Sequence, residues 1–322
     1  VGGCEKFHGA IIAHAGTENT RVFRETAQLG SELESFGNKT LGSANPSRVG
    51  IIFDWDNYWA LEYTSGPSED LKYVEQIHNY YKFFYNKNIS VDMIPVDADF
   101  SQYNLIAAPV LYMVKDNMAE ELESFVANGG TLITSFMSGI VDQSDNVHLG
   151  GYPGPLRSMA GVWVEEIDAL APEQKNHARF TDGTTASCGL LCDLMHLEGA
   201  EALAVYEDDF YQGMPVVTRN HFGKGNVYYV GSQLDETGLE KVLTQAVADA
   251  GVTPVIPEAT QLEVTVRESE TTRFYYVMNF TGEAQPLPDS LAGKTDLITG
   301  ETAKCGDSLK PWDVLLLTEM IH

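Results

Sequence analysis

From Arg48 to about Val252 the chain alternates short apolar runs with longer amphipathic ones, and no other feature narrows its possible folds so far. "RVGIIFD", "SVDMIPV", "NLIAAPVLYM", "TLITSF" and "GNVYYVGSQLD" read as buried strands. Between them, "SEDLKYVEQIHNYYKFFYNKN" repeats Leu71, Val74, Ile77, Tyr81 and Phe84 at helical spacing, and "AEELESFVANGG" is a helix closed by glycine. "ETGLEKVLTQAVADAGV" supplies a last helix. Strands separated by helices run parallel, because the crossover returns the chain to the same end of the sheet. The pattern predicts an α/β fold with a doubly wound parallel sheet, interrupted by an irregular insertion between about Asp142 and Asp193.

On either side of this region the pattern changes. Beyond Pro254, "LEVTVRESE", "TRFYYVMNF", "TDLITG" and "DVLLLTE" are short β-prone runs between turn residues, which predict a small antiparallel sheet or sandwich. Ahead of it, "TENTRVFRETAQLGSELESFGN" reads as a helix capped by Thr17 and ended by Gly37 and Asn38, with Val22, Ala27, Leu29 and Leu33 at broken helical spacing. "KTLGSANPS" then reads as a linker. A chain of 322 residues has room for two or three such domains.

A net charge of −26 repels nucleic acid and anionic membrane, so neither is an expected partner. No apolar run reaches the ~18 residues of a membrane span, and no leader-like segment opens the chain. Cys4, Cys188, Cys192 and Cys305 are scattered; "CGLLC" is neither a redox CxxC nor half a zinc ribbon. Reduced thiols and a cytoplasmic location are expected, with no metal and no cofactor.

Candidate chemistry is sparse. "SFMSG" follows the strand "TLITS" where a nucleophile elbow could lie, but it lacks the first glycine of G-x-S-x-G, and a plain turn is the expectation. "GYPGP" and "HFGKGN" fit no phosphate loop, and the second reads as a hairpin turn with Lys224 in solvent. The histidines at 78, 148, 177, 196 and 221 lack metal-ligand spacing and read as structural or surface residues. "FDWDNYWALEY" is richer: Trp55, Tyr58 and Trp59 could form a shelf on which a sugar stacks, or an interface between domains or subunits. The opening "GGCEKFHGA" sets Glu5 three residues before His8, a pair able to converge on one polar ligand.

Taken in order, "GGCEKFHGAIIAHAG" with "TRVFRETAQLGSEL", then "RVGIIFDWDNYWALE", "FYNKNISVDMIPVDADFSQYNLIAAPVLYMV", "FVANGGTLITSFMSGIVDQSDNV" and "GGYPGPLRSMAGVWVEEIDAL" resemble the β-galactosidases of glycoside hydrolase family 42. "YYVMNFTGEAQPL", "DLITGE" and "LKPWDVLLL" extend the resemblance through nearly the whole chain. It implies three parts: residues 1–40, the last strand, loop and helix of a (β/α)8 barrel; residues 41–255, a flavodoxin-like domain, similar to class I glutamine amidotransferases, that mediates homotrimer formation; and residues 256–322, a small β domain.

The resemblance also implies a division of labour. A barrel of this kind takes about 250 residues. A retaining glycosidase needs two carboxyl groups about 5–5.5 Å apart. In the family both glutamates lie upstream of "EKFH", so no catalytic residue is expected in this chain. Glu5 and His8 match positions that hydrogen-bond galactose in the −1 subsite, and a galactoside is an expected partner only with the intact barrel. The helix after them loses its barrel neighbours, so its apolar side is expected to repack on the middle domain or stay partly exposed, and residues 1–16 to be poorly ordered or held by a partner chain. The alternatives are an amidotransferase-like enzyme with its own site, and a carbohydrate-binding or assembly module.

Overall fold

The computed structural model describes residues 11–14, 16–258 and 261–321, so the expectation for residues 1–16 falls largely outside them. The chain forms two compact units: residues 47–257, and the residues before and after them.

The first helix, α1 (Arg21–Thr40), starts later than Thr17 and runs past Gly37. Thr20 caps it, its Oγ1 accepting from the Phe23 N–H at 3.2 Å. The chain leaves the helix through Gly42, whose φ of +78° suits a glycine stop; Gly37 stays helical. Phe36 is its one buried residue. Val22, Leu29 and Leu33 are about half exposed, the second of the two outcomes expected for this helix.

The middle unit begins with β1 (Val49–Ile52), α2 (Trp55–Tyr63), α3 (Tyr73–Asn86), β2 (Val91–Ile94), β3 (Leu105–Ala108), α4 (Met118–Ala127) and β4 (Thr131–Ser135). There follow α5 (Arg157–Ala160), β5 (Val162–Ala169), β6 (Asn176–Phe180), β7 (Thr185–Leu197), β8 (Glu201–Tyr206) and β9 (Pro215–Phe222). The unit closes with β10 (Gly225–Val230), β11 (Ser232–Leu234) and α6 (Glu236–Asp249).

One eleven-stranded mixed sheet runs through this unit in the order β11-β7-β6-β8-β9-β10-β4-β3-β1-β2, with β5 also paired to β7. The pairs β10–β4, β4–β3, β3–β1 and β1–β2 are parallel. Alternate residues feed opposite cores: Ile51, Leu105 and Ile133 join α3 and α6 on one face, while Ile52, Ile106 and Leu132 join α4 on the other.

Two sequence expectations need correcting here. The stretch expected to be an irregular insertion contains β5, β6 and most of β7, which belong to an antiparallel extension of the same sheet. The strands hid because they carry polar residues on one side; β5 reads "VWVEEIDA", with Glu165 and Glu166 in solvent. The inward stripe of α3 is Tyr73, Ile77, Tyr80 and Phe84, while Val74 and Tyr81 are 38% and 40% exposed. That rotation buries the larger aromatic area. The turn at Gly223–Lys224 joins β9 to β10 as a two-residue hairpin, as its sequence suggested.

The terminal unit carries β12 (Glu263–Glu268), β13 (Thr272–Met278), β14 (Gln285–Pro286), β15 (Thr295–Asp296), β16 (Ser308–Leu309) and β17 (Val314–Met320). Four of them form an antiparallel sheet, β12-β13-β17-β15, as the sequence led one to expect. Phe36 of α1 packs on Phe274 and Leu316 of this sheet. The stretch read as a linker is pinned to it: Ala44 bridges Glu268, and the Arg267 guanidinium donates to Ser43.

Candidate functional site

In a parallel α/β sheet, ligands and chemistry gather at the carboxyl ends of the strands. Here β1, β3 and β4 end side by side. β1 runs into Phe53 and Asp54, and Asp54 caps α2 by accepting from the Asn57 N–H at 3.2 Å. Asn57 is fully buried and holds α2 to the loop after β3: its amide donates to Val110 O at 3.1 Å and accepts from the Met113 N–H at 2.8 Å. Lys115, from the same loop, donates to Asp54 at 2.9 Å and to Asp56 at 2.7 Å. Burial alone would lower the Lys115 pKa, but the hydrogen bonds to Asp56 and Asp54 outweigh it and raise it. This ion-paired rim went unnoticed in sequence; two aspartates flanking a tryptophan at a helix start were the available signal.

On this anchored helix Trp55, Trp59 and Tyr63 recur every fourth residue and are 60%, 51% and 88% exposed. The two indoles lie 6.0 Å apart with a 36° tilt; Phe53 and Tyr58 meet the Trp55 ring edge-on, and Tyr73 packs against both of them. Three aromatic rings on one exposed helix face make a preset apolar ridge, costly to leave in water. Burial raises the Tyr73 pKa, so its hydroxyl stays protonated and donates to Ile52 O.

Behind the ridge, "SFMSG" forms a sharp turn. Met137, the residue at the elbow, has φ +57° and is buried. A non-glycine residue in this region is strained, as nucleophile elbows are, but a thioether cannot serve as the nucleophile. The nearby hydroxyls are committed to backbone. Ser135 Oγ accepts from the Val110 N–H at 2.8 Å, Ser138 Oγ accepts from the Leu111 N–H at 3.0 Å, and Thr134 Oγ1 donates to Ala108 O at 2.8 Å. The turn locks the β3 and β4 loops together.

The histidines are dispersed. His177 pairs with Asp208 and His196 with Glu165, each at 2.6 Å on the surface, and His196 stacks on Trp163. Among the described residues no group of three or more His, Cys, Asp or Glu could hold a metal, and no helix is long and apolar enough to cross a membrane. Glu5 and His8 lie outside the described residues.

Sequence reading also passed over Asp193, an aspartate in the middle of the apolar β7. It is 1% exposed; the Tyr229 hydroxyl donates to its Oδ2 at 2.8 Å, and its Oδ1 has no partner. Burial pushes its pKa up to about 8 against the hydrogen bond from Tyr229. It lies inside the antiparallel extension, away from the strand ends just described.

Residues 47–253 match the family described as the β-galactosidase trimerisation domain, residues 261–319 the β-galactosidase C-terminal domain, and residues 1–36 β-galactosidase itself. A β-galactosidase of Lactobacillus acidophilus is 45% identical over 318 residues, covering 98% of this chain and 47% of its own length. One from Planococcus is 48% identical over 292 residues, covering 89% and 43%. The crystal structure of β-galactosidase from Bacillus circulans sp. alkalophilus superimposes with a TM-score of 0.94 at 45% identity, covering 99% of this chain and 48% of the other. A catalytic mutant of a family 42 β-galactosidase from G. stearothermophilus gives 0.93 at 33% identity, covering 99% and 47%. The chain thus spans about half the length of the curated relatives it matches.

Proposed function

The chain belongs to the glycoside hydrolase family 42 β-galactosidases, and on that premise we propose that it serves as the C-terminal, assembly-bearing part of such an enzyme. The whole enzyme hydrolyses terminal β-D-galactosides with retention in the cytoplasm; this chain supplies the trimer-forming region and no acid/base or nucleophile. The observation that carries the reading is Met137: the strained elbow after β4 holds a thioether, and its serines are bound to backbone. The α/β unit is therefore assigned to assembly, with the ridge of Trp55, Trp59 and Tyr63 as the surface that meets a second copy.

The finer domain reading goes with it. Residues 1–40 are the end of the barrel, and α1 leaves Val22, Leu29 and Leu33 exposed for the barrel helices to cover. Residues 41–255 form a flavodoxin-like, amidotransferase-related domain, a reading supported by the parallel strand order β2-β1-β3-β4-β10. Residues 256–322 form the third domain. Glu5 and His8 complete the wall of the galactose subsite once the barrel is present.

The test is hydrolysis of a chromogenic β-galactoside by this chain alone, and by the same chain joined behind the upstream half of the Lactobacillus acidophilus relative. The chain alone gives no turnover. The joined protein turns over, and Glu5→Ala or His8→Ala lowers its kcat/KM about 10–100-fold, the cost of a hydrogen bond to a charged or polar partner at the reacting sugar. Turnover by the chain alone that survives purification would overturn the reading.

A further inference from the structure

Cys188 and Cys192 lie four positions apart in the chain, and in a regular strand their Cα atoms would stand ~13 Å apart. They do not, because β7 bulges between them. On β11 the partner of Cys192 is Ser232 and the partner of Cys188 is Leu234, only two residues further on. Leu190, in the bulge, takes φ +65°. The bulge therefore brings the two Cα atoms to about 6–7 Å, the spacing of residues two apart in a strand and the upper end of what a disulfide spans. Both thiols belong to the same core and perturb one another: the neighbouring Cys192 pushes the Cys188 pKa up, and Cys188 draws that of Cys192 down. Ser232 Oγ lies 3.5 Å from Cys192 Sγ and donates to Gly189 O at 3.1 Å, across the bulge.

We propose that Cys188 and Cys192 form a dithiol site that closes to an intrastrand disulfide by exchange with a small-molecule disulfide, with the edge strand β11 as its cover. β11 is three residues long and bonded to β7 alone, so its opening is the smallest motion that uncovers the pair. The pairing favours the thiolate at Cys192 and disfavours it at Cys188, which makes Cys192 the attacking group. The Cys192 thiolate attacks one sulfur of the small disulfide, whose S–S bond breaks; the leaving thiolate takes up the proton that Cys192 gave to solvent. Cys188 then loses its proton to solvent and attacks Cys192 Sγ, expelling the second small thiolate, which is protonated in turn. One small disulfide is reduced to two thiols, and two protein thiols are oxidised to one disulfide, with no net change in protons.

The experiment treats the full, folded chain with oxidised glutathione, quenches it, alkylates the remaining thiols in denaturant and maps the peptides by mass. The exposed Cys305 serves as the internal control, since it takes glutathione without any opening. The expected product joins Cys188 to Cys192 within one chain and lacks two hydrogens, forming faster at pH 8 than at pH 6. In Cys192→Ser the product is lost and Cys188 is recovered alkylated. Two results overturn the proposal: Cys305 fully modified while Cys188 and Cys192 stay reduced, or Cys192 held as a lasting glutathione adduct beside a free Cys188. Because the mapping on the unmodified chain decides between these, a variant that fails to fold does not rescue the idea.

Discussion

Asp193 makes stability depend on pH in a calculable way. In the unfolded chain its carboxyl ionises near the ordinary value of 3.8; in the fold, burial holds it protonated up to about 8. Between those values the folded state keeps a proton that the unfolded state has lost, so the contribution of Asp193 is complete below pH 3.8, falls as pH rises, and is gone above about 8. At ~1.4 kcal/mol per pH unit, the interval removes on the order of 6 kcal/mol, a large part of the 5–15 kcal/mol that stabilises a typical domain. The partnerless Oδ1 offers no donor to offset a buried negative charge. Asn is the informative replacement, being uncharged, of similar shape and still able to accept from the Tyr229 hydroxyl. Urea midpoints at pH 5, 7 and 9 should fall steadily for the parent chain and far less for Asp193→Asn, with the variant the more stable at pH 9. Parallel curves for the two proteins would refute the reasoning, because all other titrating groups are common to both.

Other expectations follow from single contacts. Replacing Trp55 and Trp59 together by Ala should leave the melting temperature within a few degrees, since both rings are half exposed, yet lower the mass seen by light scattering toward one chain. Asn279 is buried and donates to Glu283 O, Leu309 O and Lys310 O; Asn279→Ala strands those carbonyls and should cost the terminal unit about 2–4 kcal/mol, read by chemical denaturation. Gly139 has φ +66°, and a Cβ there would lie 1.9 Å from Pro153 O, so Gly139→Ala should destabilise the middle unit by more than ~3 kcal/mol or prevent its folding.

The parallel strands were legible because burial on both faces leaves an unbroken apolar run, as in β3. The antiparallel extension was not, because one-sided strands such as β5 and β6 carry charges that read as loop. The helix stop at Gly42 was misplaced to Gly37 because a glycine signals a stop only where the chain takes positive φ, which spacing cannot show. At the candidate site the aromatic residues were visible from the start, while their exposure, and Lys115 reaching Asp54 from sixty residues away in the chain, depend on which strands neighbour one another. Met137 carries no sequence signal for a similar reason: backbone strain has no signature in a methionine.

On the proposed function these residues assemble and do not catalyse. The measurement that tests it most directly is multi-angle light scattering on a purified fraction of the chain, with chromogenic β-galactoside hydrolysis assayed on that same fraction. A mass near three chains without turnover is the predicted result. A single-chain mass at every concentration would contradict assembly through the Trp55–Trp59 ridge, and turnover at any mass would contradict the division of labour itself.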